Sequence, residues 1–141
     1  IGGEGEKVII GGKKDNFGGG ILIFDAQRAS KIVNTNFAYL SGLQKKSNSD
    51  DYSDNFSNNY QSDFIIFGSI NFYNSNVEIN NVSFKDIFSE DAINIVKSNY
   101  KIEDTKFSEI KSDAIDIDFS NGKIIDSIFE YIGNDGIDFS G

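Results

Sequence analysis

A segment of about 22 residues recurs along this chain, and a repeat of that length constrains the fold more tightly than any other feature. Three consecutive copies align as Asn76 to Ser98, Asn99 to Ser120 and Asn121 to Gly141. Ile79, Ile102 and Ile124 share one column, Phe84, Phe107 and Phe129 a second, Ile87, Ile110 and Ile132 a third, and Ile93, Ile115 and Ile137 a fourth. An earlier copy starts at Lys31 with Ile32, Phe37 and Leu40 and resumes at Ser69 to Ser75. Gly20 to Phe24 matches the same strand before that, so Ile21, Ile70, Ile93, Ile115 and Ile137 form a five-rung column.

Within each copy, short runs alternate between apolar and polar, as in Ile115-Asp116-Ile117-Asp118, and polar corners separate them. A period of this length is too short for a strand–helix–strand unit. It suits three strands and three turns, coiled so that like residues stack about 4.8 Å apart. The expected fold is therefore all-β: a right-handed parallel β-helix, with residues 1–141 forming one module and the Phe37, Phe84, Phe107, Phe129 column forming an internal aromatic stack. Asn34, Asn81, Asp104 and Asp126 form a further column. Asn and Asp accept bend conformations and hydrogen-bond nearby backbone, so this column reads as a structural corner.

Composition narrows the function. The 141 residues carry a formal charge of -9, which argues against nucleic acid and anionic lipid and leaves cations, sugars and basic proteins as partners. Without Cys there are no disulfides, thiol nucleophiles or thiolate metal sites, and without His the commonest general base and zinc ligand is missing. No apolar run is long enough for a membrane-spanning helix. The chain opens at Ile1 with neither an initiator Met nor an apolar leader, and it ends inside a repeat at Gly141; it reads as a piece of a longer protein with further rungs or domains.

The stacked pattern resembles the pectate-lyase-like superfamily of right-handed β-helices over nearly the whole chain. Gly68 to Ser75, Glu90 to Ser98, Ser112 to Ser120 and Gly133 to Gly141 are similar to β-helix modules of bacterial secreted or surface proteins, some of them joined to spore-coat-protein-H-like kinase domains. The resemblance implies an extracellular or cell-surface location and a role in binding or display.

Residues that alternate with the apolar ones on the Ile93, Ile115, Ile137 strand should point outward. They form two columns: Leu22, Asn71, Asn94, Asp116 and Asp138, then Phe24, Tyr73, Val96, Asp118 and Ser140. Asp91, Asp113 and Asp135 stack at the corner before this strand. Asp113, Asp116, Asp118, Asp135 and Asp138 are thus expected to crowd into one patch, where carboxylates about 5 Å apart repel unless a cation, a proton or hydrogen-bond donors intervene. Calcium, which takes six to eight oxygen ligands in flexible geometry, is the metal such a patch suits. The competing reading is that the corner Asp residues cap backbone groups and the others face water.

An enzymatic reading also has support. Asn134-Asp135-Gly136-Ile137-Asp138 is similar to a segment of polygalacturonase-type glycoside hydrolases, and Asp116 with Asp118 or Asp138 could meet the carboxyl separation an inverting glycosidase needs, which makes these three the candidate catalytic carboxylates. The rest of that pattern is missing: there is no His, and Arg28 is the only arginine, so a lyase-type base would have to be Lys97 or Lys123.

The insertion over residues 44–63 is rich in Ser, Asn and Asp and should leave the solenoid as a surface loop, with Tyr52, Phe56 and Tyr60 as candidate ligand-binding rings. Lys45-Lys46 is too short a basic run to mean more than solubility. Gly11-Gly12 and Gly18 to Gly20 lack a phosphate-loop ending and read as turns. Taken together, the sequence predicts a non-catalytic extracellular module that binds or displays, with a polysaccharide or surface-protein partner and calcium as its metal. Its alternatives are a fragment of a carbohydrate-active enzyme and a structural stalk.

Overall fold

The computed structural model describes residues 1–2, 5–42 and 66–141. Tyr52, Phe56, Tyr60 and the expected 44–63 loop lie outside the described residues. The described chain is an all-β parallel solenoid of about 5 turns, with rungs about 23 residues apart. Its strands are β1 (Val8–Gly11), β2 (Ile21–Phe24), β3 (Ser30–Ala38), β4 (Gly68–Tyr73), β5 (Val77–Ile87), β6 (Asp91–Val96), β7 (Asn99–Glu103), β8 (Lys106–Ile110), β9 (Asp113–Asp118), β10 (Asn121–Ile125), β11 (Ile128–Ile132) and β12 (Ile137–Ser140).

One sheet runs β2-β4-β6-β9-β12, and the other runs β1-β3-β5-β7-β10 with β8 and β11 continuing beside β5. Three strands per rung hold in the last two full turns. In the earlier turns the long strands β3 and β5 each do the work of two, because β5 pairs first with β7 and then with β8. Both strands turn at one residue of left-handed backbone, Asn34 (φ 49°) and Asn81 (φ 52°), and the same corner is made by Asp104 (φ 46°) and Asp126 (φ 47°). The bend expected of this Asn/Asp column is thus observed, with Asn81 Nδ2 donating to Asn34 Oδ1 at 2.7 Å.

Two further corners are built the same way. Tyr39, Asp86, Glu109 and Tyr131 have φ of 53–55°, and Asp25, Asn74, Lys97 and Phe119 have φ of 47–53°. Left-handed backbone costs a residue with a Cβ roughly 1–2 kcal/mol. It recurs here at equivalent corners of successive rungs, where the strand turns and the next one stays in register. The corner after the β2-β4-β6-β9 sheet is also pinned by a serine ladder: Ser75 N–H donates to Ser98 Oγ at 2.9 Å and Ser98 N–H to Ser120 Oγ at 3.0 Å, with all three serines buried.

Burial of apolar columns drives the stacking. Ile70, Ile93 and Ile115 are fully buried, as are Phe37, Phe84 and Phe107. The rings of Phe37, Phe84, Phe107 and Phe129 stack at centroid distances of 5.0, 4.9 and 5.0 Å, the strand spacing itself. Among the described residues no helix is long and apolar enough to cross a membrane.

Candidate functional site

Parallel pairing places the acidic residues as the repeat predicts. Leu22, Asn71, Asn94, Asp116 and Asp138 are register partners in turn, and so are Phe24, Tyr73, Val96, Asp118 and Ser140. At the corner before the strand, Gly68 pairs with Asp91 and Asp91 with Asp113. Each rung therefore carries a corner residue and, three positions on, an outward residue: Gly68 with Asn71, Asp91 with Asn94, Asp113 with Asp116, Asp135 with Asp138. From top to bottom the pairs gain carboxylates.

The upper rungs of this column, and the corner beside it, are covered from solvent. Asn71 and Asn94 are buried at 0% and 1% exposure, and Asp91 and Asp113 at 3% and 8%. The reason is that short amide side chains fold back on the corner three residues earlier. Asn71 Oδ1 accepts from Gly68 N–H at 2.9 Å while its Nδ2 donates to Gly68 O at 2.7 Å and Ile21 O at 3.2 Å. Asn94 Nδ2 donates to Asp91 Oδ2 at 3.2 Å and to Asp116 Oδ2 at 2.9 Å. Spacing of three residues between polar positions at a corner and on a strand was the available signal for this closure.

The five acids singled out from sequence divide. Asp113 is a cap: its Oδ1 accepts from Asp135 N–H and from Asn134 Nδ2, both at 2.8 Å. Asp135 contributes backbone to that cap, and its own side chain is exposed. Asp116, Asp118 and Asp138 remain as a carboxylate group on adjacent rungs, with Asp138 exposed and the other two half-buried. Burial pushes the Asp116 carboxyl up to about 6, and the negative charges of Asp118, Asp138, Asp113 and Glu90 add to the rise. Asp91, absent from the acids singled out by sequence, is pushed to about 7 by burial; the Asn94 hydrogen bond opposes this, and Asp116, Glu90 and Asp113 reinforce it. Tyr73, one rung up, has its hydroxyl raised to about 12 by burial and then by Asp118, Asp116 and Asp91, so its ring belongs to the same neighbourhood.

Among the described residues no basic side chain forms an ion pair with these acids. Among the described residues the ion pairs are Lys31–Glu78 at 2.8 Å, Lys101–Glu103 at 2.7 Å and Lys106–Glu130 at 2.8 Å, all on the other sheet. No three Asp or Glu side chains among the described residues converge in an arrangement ready to hold a metal ion. Comparison with protein-family models, curated proteins and solved structures finds no match to this chain.

Proposed function

We propose that this solenoid is a non-catalytic extracellular binding module of the pectate-lyase-like kind, whose acidic strand face receives a positively charged surface-protein partner. One observation carries the reading: Asp116, Asp118 and Asp138 gather on one sheet with no ion-pair partner among the described residues, whose ion pairs all lie on the other sheet. Unpaired charge on one face concentrates potential there, attracts cationic groups and repels acidic polysaccharides. Binding of the immobilised protein to poly-lysine in EDTA tests this. Asp118→Asn with Asp138→Asn should abolish binding, and Glu103→Gln with Glu130→Gln, the same change of net charge on the other sheet, should leave it intact. Equal loss in both pairs, or preferential binding of polygalacturonate, overturns the reading.

A glycoside hydrolase is the second reading, favoured by the raised Asp116 beside Asp118 and Asp138, since a carboxylic acid raised by burial beside a second carboxyl group is the usual arrangement for protonating a leaving group. Release of reducing ends from polygalacturonate, lost in Asp116→Asn, would replace the first reading with this one.

A further inference from the structure

Asn71 and Asn94 hold the same position on consecutive rungs, yet their hydrogen bonding differs. Asn71 is satisfied at both ends by Gly68 and Ile21. Asn94 spends its amide hydrogens on two carboxylates from different rungs, and its Oδ1 is buried with no hydrogen-bond partner. The corner residue is the cause: where the upper rung has Gly68, whose backbone N–H serves Asn71 Oδ1, the lower rung has Asp91, whose carboxylate takes Asn94 Nδ2 instead.

A buried oxygen left without a donor is destabilising, and two carboxylates drawn to one amide repel each other. The groups acting on Asp91 and Asp116 are Glu90, Asp113, Asp118 and Asp138, all acidic, and no lysine or arginine is among them. Proteins tolerate buried charge when it is paired or coordinates a metal. A hard cation between the two carboxylates removes their repulsion and, once the Asn94 amide turns Oδ1 toward them in place of Nδ2, takes that oxygen as a further ligand.

We propose that Asp91, Asn94 and Asp116 form a binding site for a hard divalent cation, with calcium the ion best matched to two carboxylates and an amide oxygen. Rotation of the Asn94 amide about Cβ–Cγ exchanges Oδ1 for Nδ2 between the two carboxylates and requires no backbone movement. Asp113, occupied by the Asp135 N–H and the Asn134 amide, lies outside the ligand set. This site goes beyond the partner-binding face, which rests on the more exposed Asp118 and Asp138 and is assayed in EDTA, so either proposal can fail without the other.

Calcium titration of the EDTA-stripped protein, followed by calorimetry and by thermal unfolding, tests the site. The wild type should bind calcium and melt at a higher temperature with it. Asp91→Asn and Asn94→Ala should each weaken binding about tenfold or more, whereas Asp118→Asn with Asp138→Asn, which removes neighbouring charge but no ligand, should weaken it less than either. Asn94→Asp adds a third carboxylate, so it should bind calcium more tightly than the wild type and melt lower in EDTA, a gain that misfolding cannot mimic. Absence of calcium binding by the wild type overturns the proposal, as does binding indifferent to Asp91→Asn. If acidification in EDTA reproduces the full stabilisation and calcium adds nothing, protons rather than a cation neutralise the pair and the proposal fails.

Discussion

The interior and the acidic face of this solenoid are built on the same register and obey different rules. Inside, one residue type repeats from rung to rung: Phe37, Phe84, Phe107 and Phe129 stack at the strand spacing. On the face, the residue type shifts along the column, from Leu22 to Asn71 and Asn94 and then to Asp116 and Asp138. Close packing leaves an interior column little choice, since each ring must fill the space its neighbours define. A surface column has only to be solvated or hydrogen-bonded. Its drift toward carboxylate, with no ion-pair partner among the described residues, is therefore not required by the packing of the interior.

The largest effect that can break this contrast lies inside. Phe107→Ala removes the middle of the ring stack and should cost about 3–5 kcal/mol in urea-induced unfolding. A loss below about 1 kcal/mol would mean that the column is not close-packed.

The next effect is on the face and depends on pH. Asp91 and Asp116 have folded-state values of about 7 and about 6, above the ordinary carboxylate range near 4 that the unfolded chain shows. The folded protein then holds more protons than the unfolded one between those limits, so stability is greatest below about pH 4 and is lost as pH rises through 6 to 7 as far as these two groups decide it. In EDTA, thermal unfolding between pH 8 and pH 5 should show a rise on acidification on the order of a few kcal/mol. Asp91→Asn should flatten most of that slope; an unchanged slope would place the titrating groups elsewhere.

Smaller again is the strain at the corners. Glu109 holds φ at 54° with an exposed side chain, and Glu109→Gly should raise stability by up to about 1 kcal/mol, the relief of left-handed strain less the entropy glycine adds to the unfolded chain. A chemical-denaturation series including Asp86→Gly would resolve it, with a smaller gain expected there because Asp tolerates this backbone better. The smallest change is Asp138→Asn, which removes one repulsion from an exposed position and should shift stability by less than about 0.5 kcal/mol while reducing affinity for a cationic partner. Divergence of those two readouts is what separates a functional face from a structural one.

Much of this was legible before any coordinates, and the exceptions share a cause. Isoleucine and phenylalanine columns declared themselves because burial selects residue type strongly and a parallel stack repeats it every rung. The Asn34, Asn81, Asp104, Asp126 corner was legible because Asn and Asp favour the left-handed backbone it needs. The corner at Lys97 and Phe119 was not, because neither residue has any preference for φ near 50°; the stacked rungs impose it. Asp91 is the harder case: its three-residue spacing to Asn94 permits the closure, but only the structure shows that the amide takes the Asp91 carboxylate and that both are buried.

By itself, then, the sequence determined the period, the parallel register and the columns that fill the interior, since each follows from which residues can be removed from water at a fixed spacing. Tertiary structure alone decided which polar groups would be taken inside with them. Whether an amide closes on its corner's backbone, as Asn71 does on Gly68, or bridges two carboxylates with an oxygen left over, as Asn94 does, depends on the distance between side chains on adjacent rungs. That distance exists only once the coil has closed.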